Sequence, residues 1–508
     1  MRNSLSFAVI CRVITNLIGV AIAFISLRLY NRYLTKEIYG TVLVATQFMA
    51  YLPLISGGFG MILGQQMLSS RDRDIVAKTA RFTQVLQSHI FVLALGVGLI
   101  IMMVYSHTPA ARSVGLPLPL YFAIGLSGAA TFYSGGQIGM MTGLGRQVYT
   151  IILTGAWSLL GLLILSLAFI AGSGVWAMPI STGLGAALLV PVAWYVQQRL
   201  VPGLPTLSWH RDADFWPKLK EIWFPALTWL QSQFSIMFLF TMDIILMGML
   251  FGPGAAAVYG IVSRITAMSR QVIQTLSDTA WPRFTQELDL ERKAELMRKV
   301  DRLSAWIAGS WYGAMAATLQ VFLGWLMKTD RPDHEDWVAG SLLIYLVVGR
   351  NMVVSLSSPH SYGLLSAGRF KELARVTQME IVASLAAIFL LSHFLGMIGL
   401  ALGVLVGTCG GSLWYTTYLY FKPSARTPWF KEWCAIYLRG TGSAVLGFTV
   451  ASLVWWAEKT LFHAPGCMAI VAGGVGLAAG MGVAILVGLI KSGGKTRSLG
   501  PVKIPTNW

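Results

Sequence analysis

Residues 254–284 read GAAAVYGIVSRITAMSRQVIQTLSDTAWPRF, an unbroken helical pattern that carries Arg264, Arg270 and Asp278. At about 100° per residue, Ile261, Val262, Ile265, Val272, Ile273 and Leu276 gather on one side. Arg264, Gln271, Gln274, Thr275 and Asp278 fall within about 80° of Arg264 on the other, and Arg270 stands about 120° away, on the edge of that polar face. The stretch exceeds the roughly 20 residues that cross a bilayer. A charge at mid-bilayer costs at least ~2.5–3.5 kcal/mol on insertion scales, so such residues face a partner or a cavity. An arc this broad is more than one ion pair requires and predicts the wall of a water-filled cavity.

The rest of the chain supports a membrane reading. Of 508 residues, 55% are hydrophobic and only 12% charged, with a mean hydropathy of +0.65, whereas soluble proteins carry about 25% charged residues. The net charge of +17 sits in short gaps between apolar runs. It therefore serves orientation and contact with anionic membrane lipids, and nucleic acid is excluded as a partner. Cys11, Cys409, Cys434 and Cys467 have neither metal-ligand spacing nor a disulfide framework, so no metal and no cofactor are expected. The N-terminal run MRNSLSFAVICRVITNLIGVAIAF is interrupted by Arg12 and lacks a small-residue cleavage site, which makes it a retained first span.

About fourteen spans are expected, near 6–30, 37–64, 82–105, 117–142, 147–171, 175–197, 221–250, 254–283, 303–327, 338–362, 371–393, 395–421, 434–457 and 466–490. Lys and Arg concentrate in alternate gaps, such as RDRDIVAKTAR, GRFKELAR and KPSARTPWFK. The positive-inside rule then places both termini in the cytoplasm.

The chain also repeats itself. LTKEIYG ends at Gly40 and GAAAVYG at Gly260; MMTGLGR ends at Arg146 and GLLSAGR at Arg369. The offsets, 260 − 40 = 220 and 369 − 146 = 223, nearly agree. Each token falls at the same place in a count of six spans, so the repeat is parallel. The expected organisation is a first lobe over 1–198, a cytoplasmic linker over 199–220 and a second lobe over 221–421. Two extra spans follow over 434–490, with a cytoplasmic tail over 491–508.

Five features carry a family resemblance: Arg32–Gly40 after the first span, Gly57-Gly58-Phe59-Gly60, Asp243 in MDIILMGMLFG, Val258-Tyr259-Gly260, and Gly368-Arg369. In their order and spacing the chain resembles the polysaccharide flippases of the multidrug/oligosaccharidyl-lipid/polysaccharide exporter superfamily. The resemblance implies an all-α polytopic membrane protein with two six-helix lobes around a central cavity and two further C-terminal helices. It implies alternating access, and export of an undecaprenyl-diphosphate-linked oligosaccharide from the cytoplasmic to the periplasmic leaflet of the bacterial inner membrane. A polysaccharide polymerase and chain-length machinery are the implied partners. The two extra spans resemble those of lipid II and capsule-type flippases.

Charges within spans divide by depth. Asp243 and Arg264 lie at similar distances from the turn near Gly252 and form one expected structural ion pair; Arg350 and Glu380, near the middles of their spans, form a second. Arg270 lies too deep to reach the surface, and Arg12 is followed by Thr15, Asn16 and Gly19 on nearby faces. Arg12, Arg264 and Arg270 are thus candidates for a diphosphate, whose oxygens suit a guanidinium fork. Gln271, Gln274 and Thr275 are candidates for sugar hydroxyls, and Asp278 and Asp243 for a coupling ion. His89, His360 and His393 stand isolated and are read as packed or interfacial. A cation-coupled antiporter of the same fold would offer acidic residues in the cavity, and a membrane glycan polymerase or transferase would need a large outer loop. Among the outer gaps, KTDRPDHEDW clusters Asp330, Asp333, His334, Glu335 and Asp336 but spans only about a dozen residues.

Overall fold

Nearly every apolar run expected to cross the bilayer becomes helix. The computed structural model describes residues 5–56, 58–70, 72–204, 209, 214–286, 290–328, 337–367, 369–421, 429–462, 468 and 471–479, and contains no strand among them. The first lobe comprises α1 (Leu5–Tyr33), α2 (Lys36–Met49), α3 (Phe59–Ser69), α4 (Arg73–Ser106), the single turn α5 (Pro109–Arg112), α6 (Leu118–Gly143), α7 (Gln147–Ile170) and α8 (Ala177–Leu200). The second comprises α9 (Phe215–Phe251), α10 (Pro253–Gln286), α11 (Leu290–Leu326), α12 (Ser341–Ser366), α13 (Phe370–Gly410) and α14 (Tyr415–Phe421), and α15 (Trp429–Phe462) follows. Eight helical stretches among the described residues are long and apolar enough to cross a membrane. The chain is a multi-pass membrane protein. The first thirteen expected intervals lie largely on helix, and the fourteenth is described only at 468 and 471–479. The acidic cluster of Asp330, Asp333, His334, Glu335 and Asp336 and the tail over 491–508 lie outside the described residues.

Two spans depart from simple rods. The expected 37–64 span stops at Met49, passes through the 3₁₀ turn Leu52–Ser56 and resumes at Phe59. Pro53 and Gly58 (φ 78°) supply the physical reason, one lacking a donor and the other adopting a left-handed conformation. α13 is a hairpin of two helical arms, because Gly396 (φ 59°, ψ −136°) breaks its path. Beyond that turn Gly399, Gly403, Gly407 and Gly411 lie against Leu391, Ile388, Ser384 and Glu380, where a Cβ would overlap the opposite arm.

Within the first lobe α1 packs on α7, α7 on α8, α8 on α6, and α6 on α4 and α3; within the second α9 packs on α13, α13 on α12, and α12 on α10 and α11. α15 lies along α11, its Gly440, Ser443 and Ala444 seated on Gly309 and Gly313, the small-residue contact that brings membrane helices close.

The lobes meet where the sequence repeats. Gly40 of α2 lies against the backbone of Pro253, and Gly260 of α10 against Leu43, so the two corresponding glycines form the crossing of α2 and α10. Asn31 Nδ2 donates to the Met327 carbonyl at 2.6 Å and Phe24 meets Phe322 edge-on at 5.0 Å, closing the same end. At the opposite end of the lobes Phe59 faces Trp223 at 5.9 Å and Phe82 faces Phe215 at 5.2 Å, which seats α3 and α4 on α9.

Candidate functional site: the polar face of α10 and its surroundings

α10 divides as its sequence dictates. Ile261, Val262, Ile265 and Ile273 are buried, whereas Gln271 is exposed and Arg264 and Gln274 are half-buried. The side chains of Thr275 and Asp278 lie outside the described residues. The Arg264 Nη1 donates across the lobe boundary to the Tyr39 hydroxyl of α2 at 3.4 Å. Tyr39 in turn stacks on Tyr30 of α1 at 5.1 Å and leans on Trp337 at 5.6 Å. Arg264 therefore belongs to a contact that exists only while the lobes are together at this end.

Arg270 lies elsewhere on the helix. It is buried, and its Nη1 donates to Asn351 Oδ1 of α12 at 3.3 Å. Asn351 Nδ2 donates to Thr266 Oγ1 at 3.1 Å and to the Val347 carbonyl at 2.9 Å. The 120° offset from Arg264 is the reason, since it turns Arg270 onto the flank that packs on α12. Sequence angles place it on the edge of the polar face, but which edge α12 covers requires the fold. Arg12 is half-buried on α1 in the other lobe, with Asn16 and Gly19 four and seven residues on, while Thr15 turns to Gly155 of α7.

The expected partner of Asp243 changes. Asp243 does not pair with Arg264; Arg350 Nη1 of α12 meets its Oδ2 at 2.6 Å, the Tyr259 hydroxyl donates to the same oxygen at 2.8 Å, and the Ile244 N–H donates to Oδ1 at 2.9 Å. Glu380 accepts from the Ser412 hydroxyl at 2.7 Å. All three charged groups are 2–3% exposed. Equal depth is the sequence argument, and depth says nothing about azimuth: Arg264 turns toward α2, and the guanidinium that reaches Asp243 comes from a residue more than a hundred positions later (350 − 243 = 107). With both described intramembrane carboxylates of this cluster enclosed and hydrogen-bonded, neither is offered to a cationic ligand.

A cavity of about 780 Å³ opens inside the first lobe, at the break between α2 and α3. Gly128, Gly135, Gly136 and Gly139 of α6 form one wall, with Phe132 and Trp157 beside them, and no charged side chain lines it among the described residues. Behind it Gln137 donates to Gln84 at 3.0 Å and to Gln87 at 3.3 Å, and Gln197 donates to the Gln137 carbonyl at 2.6 Å. Such a wall suits neutral groups and gives an anion no counter-charge. Sequence reading overlooked this cluster; the signal was available in Gln84, Gln87 and Gln137, amides standing within apolar helices. Among the described residues no group of three or more His, Cys, Asp or Glu could hold a metal ion.

A family model described as polysaccharide biosynthesis protein matches residues 8–287. Comparison with curated proteins returns no match. Among solved structures, the lipid II flippase MurJ in an inward closed conformation superposes with a TM-score of 0.67 at 12% identity, covering 96% of this chain and 98% of that one. An inward-facing multidrug resistance MATE family transporter of the MOP superfamily gives 0.55 at 15% identity, covering 81% and 100%. The eukaryotic MATE transporter AtDTX14 gives 0.54 at 14% identity, covering 86% and 97%. These likenesses show that the chain shares its all-helical fold with these transporters.

Proposed function

The chain belongs to the polysaccharide biosynthesis protein family, and from that premise we propose that it is an alternating-access flippase rather than an enzyme. Its cargo is an undecaprenyl-diphosphate-linked oligosaccharide, moved from the cytoplasmic to the periplasmic leaflet of the bacterial inner membrane. Both termini are cytoplasmic in this reading, and the lobes correspond to the two copies of the sequence repeat. A polysaccharide polymerase and chain-length machinery take the product, and anionic lipids contact the basic gaps.

The observation that carries the proposal is the division of α10, buried at Ile261, Val262, Ile265 and Ile273, exposed at Gln271 and half-buried at Gln274. Arg12 on α1 supplies the positive charge for the diphosphate, and Gln271, Gln274 and Thr275 the hydrogen bonds for sugar hydroxyls. Arg270 acts from behind as a positioning residue, tying this wall to α12 through Asn351. Arg264 belongs to the gate formed with Tyr39. Asp278 keeps a proposed part in ion coupling, whereas the enclosure of Asp243 argues for structure. A negative-inside potential favours outward movement of the anion by ~2.3 kcal/mol per charge per 100 mV.

The competing reading, a cation-coupled drug antiporter, is separated by direct binding. Purified protein in lipid nanodiscs is expected to bind undecaprenyl diphosphate in preference to tetraphenylphosphonium. The reverse preference would assign it to the antiporters.

A further inference from the structure

Among the described residues neither Arg12 nor any part of α10 lines the cavity of the first lobe. Thr46 and Met49 of α2 do, three (46 − 43) and six (49 − 43) residues beyond Leu43, the side chain on which Gly260 of α10 rests. The cavity therefore begins within about two turns of the crossing between the lobes. Its volume of about 780 Å³ falls in the ~300–1,000 Å³ range of sites that enclose a drug-sized ligand, the scale of a short oligosaccharide.

Glycine keeps this space open. Gly135 and Gly139 stand one turn apart on the wall made by α6, and Gly60 lines the cavity from α3. A Cβ on any of the three would touch nothing within 4 Å. Small residues in membrane helices ordinarily let two backbones approach, as Gly64 and Gly143 do between α3 and α6. A glycine inside a helix is otherwise destabilising relative to alanine. At Gly60, Gly135 and Gly139 no packing contact offsets that loss, so what these positions supply is room.

The polar groups on the wall are uncharged and only partly used. Gln87 is 9% exposed and lies against Gly136, where a Cβ would overlap its amide. Its Nε2 donates to the Tyr133 carbonyl at 3.3 Å and its Oε1 accepts from Gln137 Nε2 at 3.3 Å. An amide side chain has two N–H donors and two acceptor lone pairs, so one of each is left for a ligand. Behind it Gln137 Oε1 and Gln197 Oε1 are buried and accept no hydrogen bond among the described residues. Phe132 and Trp157 add aromatic faces, and Thr131 a hydroxyl.

No charged side chain lines the cavity among the described residues, so an anion finds no counter-charge there. A prenyl chain would cover Gln87 without replacing the hydrogen bonds its amide loses to water. A sugar ring meets both demands, since its C–H faces are apolar and its hydroxyls donate and accept. We propose that the first-lobe cavity receives uncharged sugar rings at the end of the cargo remote from the diphosphate. The assignment rests on the flippase reading and adds a second seat for the glycan. Gln87 is its hydrogen-bonding residue, and Gly135 and Gly139 set how much fits.

The test uses full-length protein in nanodiscs and two probes: undecaprenyl diphosphate, and the lipid-linked oligosaccharide extracted from cells in which this protein is deleted. Gly135→Leu and Gly139→Leu fill the cavity without a packing clash. Each is expected to weaken binding of the oligosaccharide lipid by about tenfold, equivalent to one or two net hydrogen bonds, while undecaprenyl diphosphate binds as before. Gly135→Cys gives a second reading with a smaller side chain. Its alkylation by N-ethylmaleimide, followed by peptide mass, should be slowed by the oligosaccharide lipid and not by undecaprenyl diphosphate. Unchanged binding of the oligosaccharide lipid in both leucine variants would overturn the proposal. Equal weakening of both probes, or equal protection of Gly135→Cys by both, would overturn it too, because the cavity would then hold the prenyl chain. Failure of the unsubstituted protein to bind undecaprenyl diphosphate at all would instead overturn the flippase reading, and the proposal with it.

Discussion

Arg350 and Asp243 meet at 2.6 Å with almost no solvent access, joining α12 to α9 through the middle of the second lobe. The Tyr259 hydroxyl completes the carboxylate's shell. Breaking such a pair by removing one partner leaves an uncompensated buried charge and costs about 3–5 kcal/mol, whereas replacing both by apolar groups is often neutral. Thermal unfolding of Asp243→Leu and of Arg350→Met is therefore expected to show strong destabilisation in each single variant, with most of the loss recovered in the double. If Asp243→Leu were rescued by Arg264→Met instead, the pairing expected from depth alone would be the correct one.

The crossing of α2 and α10 leaves no room for side chains at its repeated glycines. A Cβ on Gly40 would run into the backbone of Pro253, and overpacking of this kind costs about 1–3 kcal/mol. Gly40→Val should part the lobes at this end. A disulfide trap made by Asn31→Cys with Met327→Cys, which are in contact across the same boundary, is expected to close readily in the otherwise unsubstituted protein and poorly with Gly40→Val. Equal trapping would show that the crossing tolerates bulk.

The bond from Arg264 to Tyr39 predicts a smaller, graded effect. A net hydrogen bond contributes about 0.5–1.5 kcal/mol, so Tyr39→Phe should shift the balance between lobe positions by about two- to tenfold. Spin-label distances between α2 and α10 report that balance. No shift would mean that Arg264 holds nothing at the gate.

Much of the fold was legible because bilayer physics writes it in long apolar runs and because the duplication left Gly40 and Gly260 in matching places. The helical face of α10 was legible for the same reason, being a local, periodic property. Partner choice was not. Asp243 and Arg264 match in depth, yet Arg264 turns to Tyr39 and Arg350 arrives from α12. The azimuth of a helix in its bundle is set by packing with elements distant in sequence. The same holds for Asp301, set among Lys299 and Arg302, and His360, 59 positions apart (360 − 301). It also holds for Arg270, whose neighbour, α12, is not visible in the sequence.

Arg270 gives a prediction that separates positioning from contact. Through Asn351 it fastens α10 to α12. Asn351→Leu should therefore reproduce the effect of Arg270→Ala on binding of undecaprenyl diphosphate, although it removes no charge. An intact affinity in Asn351→Leu beside a lost one in Arg270→Ala would make Arg270 a direct anion ligand.

The most direct measurement is the affinity of purified protein for undecaprenyl diphosphate across a charge series at Arg12. A charge-assisted hydrogen bond contributes about 1.5–3 kcal/mol, so Arg12→Ala should weaken binding by about 10- to 100-fold. Arg12→Lys should recover part of the loss, and undecaprenyl monophosphate should be less affected by either substitution. Unchanged affinity for the diphosphate in Arg12→Ala, with the protein folded, would contradict an anion seat on α1.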